Sequence, residues 1–425
     1  MEYNIRQDIP ERRRKMEHYI TQINIDKLRH LSDIVISLDA EKRQHLILTG
    51  KNGSGKTSVL IALQKYLQAI NNGNYNNLVE AEIPEWLKIE ERLNKAQTET
   101  EKYEIEKANQ LTLRHIKKYA DGVRVSFNDS KQLEILYTQG DFITAYFPAN
   151  RKTQIIRAQG VQDIKLDDAY SVHSEPGTFF HQYMVHLKTQ QAYARNEGDM
   201  AVVDRIQGWF DRFVGALRVL LDDDTINLAY DYKEYDFKIH ESGRIPFGLD
   251  MLSDGYSSVI QIVSDLILRM DKNWLLGDEI SKYDIEGIVL IDEIETHLHI
   301  GLQKKIMPFL TEFFPRIQFI VTTHSPYILN SLSNAKVYDL ENCIELEDLT
   351  AYSSDDLAEG YFGADEYSDK LKEKVKRYIS LKEKENLTKE EHAERALLRS
   401  ELRNIPKGLS SEITDLLYEI EGKHL

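Results

Sequence analysis

Apolar and polar positions divide the chain into stretches of two different periods. Ile20-Thr21-Gln22-Ile23-Asn24-Ile25 alternates with a period near two, and Ile34-Val35-Ile36-Ser37-Leu38 follows a polar Arg29-His30 turn, which predicts a pair of strands. Leu46-Ile47-Leu48 is wholly apolar, residues 50–57 are rich in glycine, and Val59-Leu60-Ile61-Leu63-Tyr66-Leu67 has helical spacing. That order predicts strand, loop, helix. Asparagines at 71–77 predict a loop, and Ile89, Leu93, Ala96 and Tyr103 predict a helical hairpin inserted over 83–119. Residues 122–127 and Leu133-Glu134-Ile135-Leu136-Tyr137 alternate, which predicts a β-hairpin around Asn128-Asp129-Ser130. A buried strand at 142–147 ends in Pro148-Ala149-Asn150-Arg151. Helices are expected at 179–195 and 200–221, strands at 226–230 and 235–240, and a long amphipathic helix over 259–270. Ile288-Val289-Leu290-Ile291 and the largely apolar run Ile317 to Val321 have the unbroken pattern of strands covered on both faces. Beyond Ser333 the chain turns helical and charged, with a capping box at Thr388-Lys389-Glu390-Glu391 and a break at Pro406-Lys407-Gly408 before a last helical stretch at 410–420.

The pattern is that of an α/β protein. At 425 residues with 41% apolar side chains there is ample material for a large core. Fifty-four basic against 70 acidic side chains leave a net charge of −16, which opposes general binding to nucleic acid and confines any DNA contact to a local patch. Arg12-Arg13-Arg14-Lys15, in a basic arm over 1–19, is the candidate for such a patch, a plain solvated arm being the commoner use of a short basic run. No apolar run approaches the roughly 20 residues of a membrane span, and Met1-Glu2-Tyr3-Asn4 begins no signal core, so a cytoplasmic protein with no membrane partner is expected. The single cysteine, Cys343, excludes an internal disulfide and reads as core filler.

Chemistry concentrates at strand ends. Gly50-Lys51-Asn52-Gly53-Ser54-Gly55-Lys56-Thr57 has the spacing in which glycines let backbone N–H groups converge on phosphate oxygens at a helix N-terminus. Lys56 then reaches the terminal phosphates, Thr57 binds Mg²⁺, and Gly50, Asn52, Gly53, Ser54, Gly55 and Ser58 complete the cradle. Asp292 and Glu293 end an apolar strand where packing alone supplies no reason for paired acids. Asp292 suits Mg²⁺, and Glu293 suits polarising the water that attacks a γ-phosphate. His324, at the end of the 317–323 run, is placed to touch that phosphate. Arg151 and Gln154 are candidate nucleotide sensors, an ordinary loop arginine being the alternative for Arg151. Ser253 and Gly255, opening the long helix, form either an anion site or a plain helix cap. His297 and His299 lack a third metal ligand. Glu359, Gly360, Asp365 and Glu366 faintly suggest a nuclease cluster, but no second acid-tipped strand follows, so no nuclease activity is expected in this chain.

In that order and spacing, Gly50–Thr57, Leu252 to Tyr256, Leu290 to Glu293 and His324 resemble the Walker A, signature, Walker B and switch-histidine motifs of ABC-type P-loop ATPases. The resemblance covers about 20–340 and implies an ABC-type head with a mixed central sheet, helical insertions at about 78–120 and 160–221, and a helical interaction region at 341–425. It also implies that Ser253 and Gly255 grip a γ-phosphate held by Lys56 of another protomer, in a homodimer or larger homo-oligomer. Asp254 and Tyr256 depart from the glycine and glutamine of transporter ATPases. The run Asp292-Glu293-Ile294-Glu295-Thr296-His297-Leu298-His299, and less specifically Tyr361-Phe362-Gly363, look like the soluble branch that holds the overcoming-lysogenisation-defect nucleases and the Septu PtuA and PARIS AriA defence ATPases. This implies an ATP- and Mg²⁺-dependent switch in anti-phage defence, with a separately encoded effector such as a nuclease and a DNA or phage-derived trigger. SMC-like DNA-repair ATPases share the motifs, but their long coiled-coil arms have no counterpart in the roughly 60 mostly helical residues, about 160–221, that lie between the glutamine-bearing loop and the signature. A transporter ATPase fits less well, given the insertions and the tail.

Overall fold

The structure, a computed structural model, describes residues 17–151, 156–276, 285–346, 349–354, 356–357, 369–384 and 387–403. The Arg12–Lys15 arm, Gln154, Glu359, Gly360, Asp365, Glu366, Tyr361-Phe362-Gly363 and the 410–420 helix lie outside these residues. The chain forms two compact units, Met1–Tyr352 and Ser353–Leu425.

In the first unit, β1 (Ile20–Leu28) and β2 (Leu31–Ser37) make the expected hairpin, and β4 (Val123–Phe127) adds to the other side of β1. The central sheet has the order β12-β11-β3-β10-β9-β5: β3 is His45–Thr49, β5 Phe142–Phe147, β9 Glu286–Ile291, β10 Ile317–Thr322, β11 Ala335–Asp339 and β12 Ile344–Leu346. All pairings are parallel except β11 with β12. β3, β9 and β10 are buried along their whole length, as their unbroken apolar runs require. Parallel alignment brings the C-terminal ends of these three strands to one edge, the usual ligand edge of an open α/β sheet. β6 (Asn227–Asp231), β7 (Asp236–His240) and β8 (Phe247–Gly248) form a small antiparallel sheet.

Helix α1 (Lys56–Asn71) follows β3 directly and buries Val59, Leu60, Leu63, Tyr66 and Leu67. The first insertion is a short α2 (Tyr75–Asn77), then α3 (Ile83–Lys95), α4 (Glu99–Ala108) and α5 (Gln110–Tyr119). It is more than a projecting hairpin. Ile83, Trp86, Ile116 and Tyr119 join the core formed by α1 and the β1–β2 hairpin, and only α4 buries nothing. Leu133–Gln139, expected as a strand, is helix α6. Its Leu133 and Tyr137 are buried one turn apart, and Gly140 ends it at φ 78°. α7 (Phe180–Glu197) and α8 (Met200–Leu221) agree with expectation and pack Phe180, Tyr183, Trp209, Phe210 and Phe213 together. α9 spans Asp254–Leu276, α10 Ile300–Phe313 and α11 Pro326–Leu329.

Two further expectations change. The residues after Ser333 form β11 and β12 before any helix, extending the central sheet past Leu340, because Val337, Tyr338 and Leu340 are buried against it. Cys343 is exposed rather than core filler, at φ 54° in the turn between those strands.

Among the described residues the second unit holds an antiparallel pair of helices, Asp369–Glu383 and Lys389–Arg403, closed over Tyr378, Leu381, Leu398 and Leu402. Thr388 and Glu391 exchange the hydrogen bonds of the expected capping box.

Candidate active site

The chain leaves β3 at Thr49 and turns through Gly50, Gly53 and Gly55 at φ 126°, 87° and 101° before α1 begins at Lys56. A Cβ on Gly50 would stand 2.9 Å from Ser54 Oγ and 3.1 Å from Asp339 Oδ1, so both conformation and space call for glycine. Lys56 is buried, and its Nζ donates to the carbonyls of Gly50 at 2.7 Å and Lys51 at 3.0 Å. Burial lowers its pKa, against the pull of Glu293, Glu295, Asp292 and Asp339. Asn52 and Thr57 are exposed at the mouth of the loop, and Ser58 is buried behind it. Lys51 is pinned from outside by Glu341, through its N–H at 3.2 Å and its Nζ at 2.9 Å.

Opposite the loop, Asp292 follows the last residue of β9. Its Oδ1 accepts a bond from Thr322 Oγ1 at 2.6 Å and one from Thr57 Oγ1 at 3.3 Å. Glu293 stands at φ 44°, its N–H donating to Thr322 Oγ1 at 2.7 Å, while Thr296 Oγ1 donates to its Oε2 at 3.4 Å. A left-handed glutamate is strained, and the neighbouring hydrogen bonds hold it there. Glu295 receives the N–H of His324, and burial raises its pKa. His324 is half-buried; desolvation and then Lys56 lower its pKa below the ordinary 6.5, so it is a neutral imidazole near pH 7.

The structure therefore brings Lys56, Thr57, Asp292, Glu293 and His324 to the ends of β3, β9 and β10. Two participants escaped sequence reasoning. Thr322 bridges the two acids with one hydroxyl, and Glu295 ties their segment to the histidine turn. The signals were a threonine closing an apolar strand and a third acid two residues after Glu293.

Arg151 does not point at the phosphate loop. Its guanidinium is buried and donates to Ser258 Oγ, to the carbonyls of Pro148, Asp292 and Glu293 at 2.6–3.1 Å, and to that of Ile294 at 3.4 Å. Burial lowers its pKa to about 10, against Glu295, Asp292 and Glu293, so it stays charged at neutral pH. Ser253 is exposed, and its carbonyl accepts the N–H of Ser257 at 2.9 Å. Gly255 is buried: a Cβ there would stand 2.5 Å from the carbonyl oxygen of His297, so the missing side chain lets α9 rest on the turn after Glu293. Tyr256 Oη and His299 Nε2 meet at 3.1 Å. Among the described residues no group of three or more His, Cys, Asp or Glu is arranged to hold a metal ion.

These residues fit a magnesium-bound nucleoside triphosphate. No side chain caps the N-terminus of α1, leaving its positive end for phosphate, and the buried hydroxyls of Thr49 and Ser54 and Glu295 Oε2 lack hydrogen-bond partners there. Thr57 and Asp292 offer Mg²⁺ a hydroxyl and a carboxylate, the oxygen donors it prefers.

Fold and motif order together define an ABC-type P-loop ATPase. The chain belongs to the family described as "AAA domain, putative AbiEii toxin, Type IV TA system", whose model matches residues 92–330. That stretch contains Leu252 to Tyr256, Asp292, Glu293 and His324, and begins after Gly50–Thr57. The chain is 37% identical over 134 residues to the Septu protein PtuA of Bacillus mycoides (strain KBAB4), covering 32% of this chain and 17% of that one. It is 35% identical over 104 residues to the Retron Ec83 probable ATPase of Escherichia coli, covering 24% and 19%. The aligned segments thus span less than a quarter of these relatives' length. Among solved structures, an SMC head bound to the C-winged helix domain of ScpA aligns at a TM-score of 0.38 and 12% identity, over 78% of this chain and 95% of that one. No described helix is long and apolar enough to cross a membrane.

Proposed function

We propose that this protein binds Mg²⁺ and ATP, hydrolyses the γ-phosphate bond, and acts as a cytoplasmic sensor or switch in bacterial anti-phage defence, passing its signal to a separately encoded effector such as a nuclease. The observation that carries the reading is the meeting of Thr57 with Asp292 beside a Glu293 whose backbone is held on both sides. Lys56 and the open end of α1 neutralise phosphate charge. Bound magnesium would be held by Thr57 and Asp292 and would draw charge from the phosphate oxygens. Glu293 orients the attacking water and takes its proton, while neutral His324 offers a hydrogen bond to the terminal phosphate. Ser253, exposed at the tip of α9, and Gly255 beneath it are available to the nucleotide of a second protomer, which makes ATP part of a homodimer interface. Gln154 is proposed only as a nucleotide contact by family likeness, and a DNA or phage-derived trigger rests on the defence relatives.

Glu293→Gln removes the base and leaves the phosphate ligands. Turnover is expected to fall at least about a hundredfold with ATP still bound, so that dimers accumulate by linkage. Lys56→Ala should lose nucleotide affinity, and Ser253→Arg should bind ATP without associating. Phosphate release alongside light scattering tests all three. A Glu293→Gln protein with the parent turnover overturns the mechanism, and cleavage of plasmid DNA by the chain alone overturns the separate effector.

A further inference from the structure

Arg151 is a buried cation that the proposed chemistry leaves unused. Its position is unusual in what it collects: three consecutive carbonyls, those of Asp292, Glu293 and Ile294, converge on one guanidinium. The carbonyl of Pro148 and the hydroxyl of Ser258 take its remaining donors. Five N–H groups thus meet five acceptors, and none is left to reach a phosphate. Apart from Pro148, which follows β5, the acceptors belong to two elements that do different things. One is the acid-bearing turn after β9, including Glu293 in its left-handed conformation. The other is α9, whose Ser258 lies one turn beyond Gly255, and Gly255 itself packs on the carbonyl of His297 at the far end of the same acid-bearing turn. The first turns of α9 therefore touch residues 292–298 at two points, one through backbone contact and one through Arg151.

We propose that Arg151 is a positioning residue that holds the strained backbone of Glu293 and ties it to helix α9, so that where α9 sits decides where the hydrolytic carboxylate points. This rests on the reading of Glu293 as the base. A planar fork is the group this needs: it bonds several carbonyls at fixed angles, whereas an ammonium is a compact point charge. The arrangement also lies behind the acids, where its charge offsets Asp292, Glu293 and Glu295 without occupying the phosphate site. In a dimer that shares ATP, a nucleotide held by the signature of one protomer would thereby bias that protomer's own Glu293, which serves the other nucleotide.

The test uses the full chain with Arg151→Lys and Ser258→Ala. Both should bind a fluorescent ATP analogue within about twofold of the parent, since neither residue reaches the nucleotide. Arg151→Lys should lower kcat about tenfold or more with KM nearly unchanged, and Ser258→Ala about threefold, the split expected when only transition-state placement is lost. Amide hydrogen exchange, read without nucleotide, should quicken in residues 292–298 in both variants. Loss of ATP affinity in Arg151→Lys would overturn the proposal in favour of direct sensing, and parental kcat and parental exchange in Ser258→Ala would overturn it even if Arg151→Lys fails to fold. A parent chain that releases no phosphate, or that Glu293→Gln leaves unaltered, strikes the hydrolytic reading instead. The exchange result then decides by itself whether Arg151 links the two elements.

Discussion

The two halves of α9 are held by contacts of very different strength. In the far half, Asp265 and Arg269 form a buried pair at 2.6 Å. Arg269 also donates to the carbonyls of Thr144 at 2.9 Å and Ser171 at 3.0 Å, and to that of Ser174, while Asp265 accepts the N–H of Gly177 at 3.1 Å. Asp271 accepts the indole N–H of Trp209 at 2.8 Å. The near half has instead an exposed Ser253, a glycine resting on a carbonyl, and single hydrogen bonds through Tyr256 and Ser258. A buried ion pair is expensive to break from one side, because the remaining charge has no water, whereas a solvent-exposed hydrogen bond such as that of Tyr256 exchanges cheaply with water, which leaves the buried bond from Arg151 to Ser258 as the main polar tether of the near half. The far half is an anchor, and the near half is held by fewer buried polar contacts.

That contrast is sharpest at Arg269. Arg269→Leu strands the Asp265 carboxylate and should lower stability by about 3–5 kcal/mol, seen as a fall in the urea midpoint. A change below about 1 kcal/mol would remove the anchor from the comparison.

Asp271 tests the same half through pH. Burial raises its carboxyl to about 7, against the hydrogen bond from Trp209. In the unfolded chain it returns to about 3.9, so between the two values the folded chain holds a proton that the unfolded chain releases. Its contribution to stability is complete below about pH 4 and is lost as pH rises through about 7. Asp271→Asn keeps an acceptor for Trp209 and removes the titration. Parent and variant should melt alike at about pH 4, and above pH 7.5 the variant should be the more stable by about 2–4 kcal/mol. A difference independent of pH would show that the carboxyl does not titrate in this range.

In the near half the expected costs are smaller and the functional consequences larger. Gly255→Ala crowds the His297 carbonyl and should cost about 1–3 kcal/mol of stability while abolishing ATP-dependent association at temperatures where the chain remains folded. Tyr256→Phe loses one exposed bond to His299 and should change stability by at most about 1 kcal/mol. A Gly255→Ala protein that associates normally with ATP would break the contrast, because the near half would then have no role in assembly.

How far the site was legible depends on how local each feature is. The strand, glycine turn and helix over 45–71 were legible because they are contiguous, and positive φ at Gly50, Gly53 and Gly55 is a property of those residues. Leu133 to Tyr137 was misread because two apolar residues four apart, with apolar residues between them, satisfy both periods. The helix wins where Leu133 and Tyr137 bury together and Glu134 takes the N–H and side-chain amide of Asn76. Gly140, a glycine just past the helix, was the available clue.

The amino-acid sequence by itself determined the glycine turn between β3 and α1, the buried strands with their acid tip and the capping box of the last helix pair, since each depends on backbone preference and burial within a few residues. Only the tertiary structure decided that Thr322 bridges Asp292 and Glu293, that Glu295 holds the His324 turn, that Gly255 is small because His297 lies against it, and that Arg151 faces backbone rather than nucleotide. The reason is physical. These partners are separated by up to 143 residues and meet only when parallel pairing aligns the ends of β9 and β10 beside β5 and α9. A side chain's donors are then satisfied by whichever carbonyls that alignment delivers.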